Sequence, residues 1–175
     1  MAVTIKPLTA SDILPLWQLA YGKGNSEWQN WNGPYFHDPV LTLAEFQQKF
    51  KSHNWMRQGI WVDQTLVGEV SAYYEDGPLQ RWLDVGIVIY QQQSWQHGIG
   101  TQALKLWLDL VFAQTDLPHV GLTTWSGNVR MMRVAEKLGL NLEARVPQVR
   151  FWQGKYWDSV KYGVLRTDWQ HLNNC

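Results

Sequence analysis

The chain has 175 residues, 45% of them hydrophobic, which is enough for the packed core of one domain and too much for a disordered chain. Lys and Arg total 15 and Asp and Glu total 15, and no basic patch or charge run points to nucleic acid or an anionic membrane as a partner. Met1-Ala2-Val3-Thr4-Ile5-Lys6 lacks the apolar core of a signal peptide, and no apolar run approaches membrane-spanning length, so the expectation is a soluble cytoplasmic protein.

Val3 to Leu8 alternates and reads as a first strand. Thr9, Ser11 and Asp12 supply N-cap chemistry for a helix through Trp17, Leu19 and Ala20, with Pro15 expected in the first turn, where a missing N–H is tolerated. From Tyr21 to Val40 the pattern breaks into Gly22, Gly24, Asn25, Asn30, Asn32, Gly33, Pro34 and Pro39, interleaved with Trp28, Trp31, Tyr35 and Phe36. A loop this long inside a domain is usually functional or mobile. Thr42-Leu43-Ala44-Glu45 is a capping box opening a second helix, with Phe46 and Phe50 on its buried side.

Ile60 to Val62, a turn at Asp63-Gln64 and Leu66 to Tyr74 read as a hairpin. A turn at Asp76-Gly77-Pro78 leads to a strand in which Leu83, Val85, Ile87 and Ile89 alternate with Trp82, Asp84, Gly86 and Val88, giving an antiparallel meander. Ala103, Leu104, Trp107, Leu108, Val111 and Phe112 recur at helical spacing in a helix ending near Ala113, and Val120 to Trp125 is a strand made parallel by that crossover. Asn128 to Leu138 is a short helix carrying Met132, Ala135 and Leu138 inward, with Gly139 as its C-cap. Leu142 to Trp152, a turn at Gln153-Gly154 and Tyr156 to Leu165 form a closing hairpin. The whole chain, 1–175, reads as one α+β domain on a mixed, twisted sheet with about four helices.

Between the strand ending at Tyr90 and the helix lies Gln91-Gln92-Gln93-Ser94-Trp95-Gln96-His97-Gly98-Ile99-Gly100-Thr101. A strand, a glycine-containing loop and a helix start aim unpaired backbone N–H groups and a positive dipole end at one point, which suits an anion and most often a phosphate. Gly98-Ile99-Gly100-Thr101-Gln102-Ala103 formally matches the dinucleotide-binding fingerprint, but Gln91 to His97 intervene after the strand, and no acidic residue for a ribose stands at the end of Val120 to Trp125. A Walker loop fails because no Gly-Lys-Ser/Thr occurs. The only cysteine, Cys175, excludes a disulfide framework, and His37, His53, His97, His119 and His171 fall at no metal-ligand spacing, so no metal is expected. Twelve Trp residues fit core packing and also aromatic walls around an organic ligand.

Trp95-Gln96-His97-Gly98-Ile99-Gly100 resembles the acetyl-CoA motif Gln/Arg-x-x-Gly-x-Gly/Ala of the GNAT superfamily of N-acetyltransferases, in the branch containing the ribosomal-protein N-terminal acetyltransferases, which often has an aromatic residue first. Asn128-Val129-Arg130-Met131-Met132-Arg133-Val134-Ala135-Glu136-Lys137-Leu138-Gly139-Leu140 resembles that branch's Asn-containing helix and its Lys-x-Gly-Phe ending, with Leu140 in the place of Phe, and the closing hairpin with Asp158, Tyr162 and Gly163 is similar as well. The resemblance covers the chain from about Ile60 onward. It implies a GNAT-like α+β domain with an antiparallel meander, one parallel pair around the acetyl-CoA loop and a C-terminal hairpin.

It further implies acetyl-CoA as co-substrate, with the amides of Gln96, His97, Gly98, Ile99, Gly100 and Thr101, after Trp95, around the pyrophosphate. Glycine leaves room there for a phosphate to approach the main chain. His97 stands where the family usually has Lys or Arg. The strand edge of Ile87, Val88, Ile89 and Tyr90 would bond the pantetheine arm, and Asn128 would touch CoA, a plain N-cap being the alternative.

An alkylammonium near pKa ~10 must lose a proton before it attacks. Asp84 falls where many superfamily members carry a catalytic glutamate. The other reading of Asp84 is a strand carboxylate held by Arg81 or a backbone N–H, and Glu69 is the second base candidate. The family's usual acid positions fall on Ala135 and Met131, so Tyr156 or Tyr162 serves, or the thiolate departs unassisted. Glu27, Trp28, Trp31 and Tyr35 are expected to receive a cationic, partly apolar amine, unless they only pin a surface loop. The leading expectation is an N-acetyltransferase acting by direct attack in a ternary complex, since no Cys or activated Ser offers a covalent route. The acceptor is a small-molecule amine or a peptide N-terminus, and a homodimer is compatible with the chain. The rivals are a non-catalytic acyl-CoA-binding module and a nucleotide-dependent oxidoreductase.

Overall fold

Thr9 ends one element and begins the next. Strand β1, Val3–Pro7, runs into it and helix α1, Ala10–Tyr21, leaves it, with both the Thr9 main-chain N–H and hydroxyl donating to Asp12 Oδ2 at 2.8 and 2.7 Å. A carboxylate in the first turn also complements the helix dipole. Pro15 lies inside α1, beyond the first turn where it was expected. It is exposed, as is Ser11, whose carbonyl loses its i+4 donor, so solvent can satisfy that oxygen. The computed structural model describes residues 1–22, 26–50 and 55–173, and the expectations placed on Gly24, Asn25, His53 and Cys175 lie outside the described residues.

Helix α2, Leu43–Gln48, opens on the expected capping box: Thr42 Oγ1 accepts the Glu45 N–H at 3.3 Å and Glu45 Oε2 accepts the Thr42 N–H at 2.8 Å. Strand β2, Arg57–Val62, and β3, Thr65–Tyr74, are joined by Asp63 and Gln64, with φ of 45° and 69° as a two-residue hairpin turn requires. Strand β4, Leu83–Ile89, precedes helix α3, Ile99–Gln114, then come β5, His119–Trp125, and α4, Val129–Lys137. Strands β6, Asn141–Trp152, and β7, Lys155–Leu165, turn at Gln153 and Gly154, both at positive φ. Helix α5, Arg166–Asn173, ends the described chain. The seven strands are hydrogen-bonded in the order β1-β2-β3-β4-β5-β7-β6. All pairs with a described register are antiparallel except β4 with β5, whose parallel register is Leu83 with Val120 and Asp84 with Gly121.

The chain divides into two compact units, Met1–Ser71 with Ile87–Leu106 and Ala72–Gly86 with Trp107–Cys175, so β3, β4 and α3 give residues to both. The first is built on Leu8, Ile13, Leu16, Ala20, Tyr21, Phe46, Phe50, Leu66 and Tyr90. Its long loop holds two short 3₁₀ turns, Glu27–Asn30 and Pro34–Phe36, and Trp28 Nε1 donates to the Ala20 carbonyl at 2.8 Å. In the second unit Trp107, Leu108, Val111, Val120 and Val160 are fully buried.

Helix α5 adds a fifth helix to the four expected, and its purpose is visible in its first residue. Arg166 donates to the carbonyls of Phe112 at 2.8 Å, Leu117 at 3.0 Å and Thr115, placing a cation where the last turn of α3 has unpaired acceptors. Trp169 Nε1 then reaches Asp109 Oδ1 at 2.8 Å. Eight residues with one buried anchor carry too little periodicity to be read as a helix from sequence.

Candidate active site

The glycine loop begins where β4 stops. A 3₁₀ turn, Gln92–Ser94, leads to Trp95, whose indole N–H returns to the Ile89 carbonyl at 2.8 Å. Gln96 and Gly98 both take positive φ, 67° and 75°, and α3 starts at Ile99. A Cβ on Gly98 would meet only the end of the Gln102 side chain, at 3.9 Å, so the loop has open space in front of its backbone. The first-turn N–H groups of Ile99, Gly100 and Thr101 have no partner within the helix. These groups could hold an anion such as a pyrophosphate. His97 is exposed beside them.

In the same unit Glu69 is 7% exposed and fully hydrogen-bonded. Its Oε1 accepts the Tyr90 hydroxyl at 2.6 Å and its Oε2 accepts Arg57 Nη1 at 2.7 Å. The β2–β3 register explains the ion pair: Gly59 lies opposite Glu69 and offers no side chain, so Arg57, opposite Ser71, reaches across on the same face. Tyr90 comes into range because its main-chain N–H bonds the Val67 carbonyl at 3.0 Å, next to Gly68, whose hydrogen faces the Val88 carbonyl. Burial first, then the Glu69 charge and hydrogen bond, hold the Tyr90 phenol well above its ordinary pKa. Tyr21 is raised as well, by burial and then by Glu69 and Asp38.

Of the residues expected to receive an acceptor, Trp28 packs edge-on against Tyr90 at 5.0 Å and Tyr21 at 5.7 Å. Glu27 Oε2 accepts Gln92 Nε2, which ties the 3₁₀ turn at Glu27 to the glycine loop. Trp31 and Tyr35 are half-buried, Tyr35 lying 4.8 Å from Phe36. Tyr90 therefore belongs to the carboxylate network through its hydroxyl, its N–H is committed to the Val67 carbonyl, and the Ile89 carbonyl is committed to Trp95.

Asp84 lies in the other unit and is more deeply buried, at 1%. Its Oδ2 accepts Thr123 Oγ1 at 2.8 Å and Lys161 Nζ at 3.1 Å, while its Oδ1 has no hydrogen-bond partner among the described residues and lies against Gly121, where a Cβ would be 2.6 Å away. Its cationic partner is Lys161, where Arg81 was expected; the Arg81 main-chain N–H serves Asp76 instead. Lys161 also stands 4.8 Å over the Trp82 ring.

Asn128 caps α4, its Oδ1 accepting the Met131 N–H at 3.1 Å. Ala135 is buried and Met131 half-buried, and neither offers an acid. Tyr162 is 2% exposed and donates to Glu136 Oε1 at 3.0 Å, with burial and then Glu136 raising its pKa, while Tyr156 is exposed against Phe151 at 5.1 Å. Sequence reading missed Arg57, Thr123 and Lys161; for Arg57 the signal was a cation two residues from Gly59 on a strand pairing with Glu69. Among the described residues no group of three or more His, Cys, Asp or Glu could hold a metal, and no helix is long and apolar enough to cross a membrane.

A family model described as an acetyltransferase (GNAT) domain matches residues 2–141. No curated protein matches the sequence. Among solved structures, spermidine N-acetyltransferase from Vibrio cholerae, in complex with CoA and spermine, superposes with a TM-score of 0.78 at 18% identity, over 96% of this chain and 98% of that one. An N-acetyltransferase from Staphylococcus aureus Mu50 gives 0.76 at 14% identity over 94% and 99%, and a GNAT-family acetyltransferase from Bacillus anthracis gives 0.75 at 17% over 94% and 95%.

Proposed function

Because the chain belongs to the GNAT acetyltransferase family, we propose that it is an acetyl-CoA-dependent N-acetyltransferase in which Glu69 is the base that deprotonates the acceptor amine. Acetyl-CoA, when bound, supplies the acetyl group as a thioester. The main-chain N–H groups from Gln96 to Thr101 hold its pyrophosphate, and the edge of β4 at Ile87 and Val88 serves the pantetheine arm. The observation that carries the reading is the buried carboxylate of Glu69, tied through Tyr90 to the strand that runs into the glycine loop. A positioned base contributes about 10²–10⁴-fold in rate.

The alternative base, Asp84, has one oxygen shared by Thr123 and Lys161, the arrangement of a strand carboxylate neutralised by its own cation. Glu27, Trp28, Trp31 and Tyr35 form the acceptor side. A small alkylamine is the acceptor we favour, with spermidine as first probe because a fold neighbour carries that name. A peptide N-terminus is the second reading, favoured by the likeness of the Asn128 helix to the ribosomal-protein N-terminal acetyltransferases.

The test is a thiol-release assay across polyamines, aminoglycosides, amino acids and N-terminal peptides, run on wild type, E69Q and D84N. Release with at least one amine, lost in E69Q with acetyl-CoA affinity kept, supports the proposal. Acetyl-CoA binding without release on any amine makes the chain an acyl-CoA-binding module, and loss in D84N alone moves the base to Asp84.

A further inference from the structure

We propose that the Tyr90 hydroxyl receives the proton of the acceptor ammonium and passes its own proton to Glu69, an inference that rests on the acetyltransferase reading above. The two oxygens of Glu69 already carry donors, Tyr90 at 2.6 Å and Arg57 at 2.7 Å, and the residue is 7% exposed. The oxygen of Tyr90, in contrast, donates its proton and accepts nothing from the described residues, although the residue is 8% exposed. A phenol oxygen that donates one hydrogen bond keeps lone-pair capacity to accept another, and an incoming N–H is the complementary group. The charged and titratable groups facing the pair are Arg57 from β2 and Tyr21 from α1, and the Trp28 ring lies 5.0 Å from Tyr90.

The proton count closes without any further reagent. An ammonium N–H bond breaks as an O–H bond forms on Tyr90, while the original Tyr90 O–H bond breaks and a new one forms on Glu69 Oε1. The ammonium becomes a neutral amine with its lone pair exposed, Tyr90 remains a phenol, and Glu69 becomes a carboxylic acid that later returns its proton to solvent. Arg57 occupies Glu69 Oε2, which leaves Oε1, the oxygen bonded to Tyr90, to take the proton. The raised pKa of Tyr90 agrees with a phenol that carries protons without resting as phenolate.

The experiment compares wild type, Y90F, E69Q and the double variant at saturating acetyl-CoA with an amine that wild type accepts, alongside the thermal shift each shows on adding acetyl-CoA. Each single change is expected to lower kcat by about 100-fold or more. The double is expected to fall no further, because the two groups act as one unit. The thermal shift is expected to stay, and the acid limb of the Y90F pH–rate profile is expected to move away from that of wild type. A proton inventory on wild type at limiting amine gives a readout that needs no variant: a curved dependence on deuterium fraction, from two protons in flight. Y90F retaining more than about a third of wild-type kcat, single effects that multiply, a lost thermal shift in Y90F, or a linear inventory would each overturn the relay. A wild type inactive with every amine overturns the acetyltransferase reading itself.

Discussion

Gly68→Ala adds one methyl group at the point on which the Glu69 network depends. An ideal Cβ there lies 2.1 Å from the Val88 carbonyl oxygen and 2.9 Å from Ile89 Cα. A tolerable carbon–oxygen approach is about 3.3–3.6 Å, so the two backbones must part by roughly 1.2 Å, and no rotamer relieves a contact between main chains. Overpacking of this kind costs about 1–3 kcal/mol, and each kcal/mol corresponds to about 2–4 °C at this chain length, so Tm is expected to fall by roughly 2–12 °C. Glu69 follows Gly68 and Tyr90 follows Ile89, so the same movement stretches the 2.6 Å hydroxyl–carboxylate bond. A ~1 Å misplacement of a catalytic group costs about 10²-fold in rate, and kcat is expected to drop by that order. Thermal unfolding and thiol release measured on the same preparation check both halves. A variant with unchanged Tm and kcat would refute the close backbone approach and the link drawn from it to catalysis.

Trp31→Ala is expected to raise the acceptor KM while leaving acetyl-CoA binding intact, and equal loss of both in a titration would assign the ring to packing. Lys161→Met leaves the Asp84 carboxylate, 1% exposed, with only Thr123 as donor, and is expected to cost about 3–5 kcal/mol in urea unfolding. D84N/K161M is expected to recover most of that loss, and a double variant as unstable as K161M would show that the ion pair is not the reason. Asp158, held by Arg145 at 2.6 Å and the Gln148 N–H at 3.0 Å, has a folded pKa below its usual carboxylate value. Its contribution is therefore present above the unfolded pKa and lost as pH falls through the folded one, so wild type should lose stability over wild-type-minus-D158N as a melting series descends below about pH 4.

The fold was legible wherever period and turn chemistry agreed. Thr42 to Glu45, Asp63-Gln64 and Gln153-Gly154 each define their element by local bonds, and each stands where the residues predict. Pro15 and α5 were misread for one shared reason: both are settled by what surrounds them. Exposure of Ser11 makes an interior proline tolerable in α1, and the open carbonyls at the end of α3 make a helix start at Arg166. Neither circumstance is written in the local sequence.

The glycine loop could be read because the anion site proposed for it is made of backbone, and backbone conformation follows in part from residue type: Gly98 takes φ of 75°, although Gln96 takes 67° without being a glycine. A carboxylate is different, because its chemistry is set by its partners and those come from other strands. Position along the chain singles out Asp84, yet its Oδ2 is shared by Lys161 and Thr123, while Glu69, less conspicuous in sequence, holds a tyrosine hydroxyl on one oxygen and an arginine on the other. An Asp–Lys pair fixes charge, whereas a carboxylate bonded to a phenol has a route along which a proton can travel. That difference in partners is why we propose Glu69 on β3 ahead of Asp84 on β4 as the base, and why removing one hydroxyl from Tyr90 separates a proton path from a packing contact.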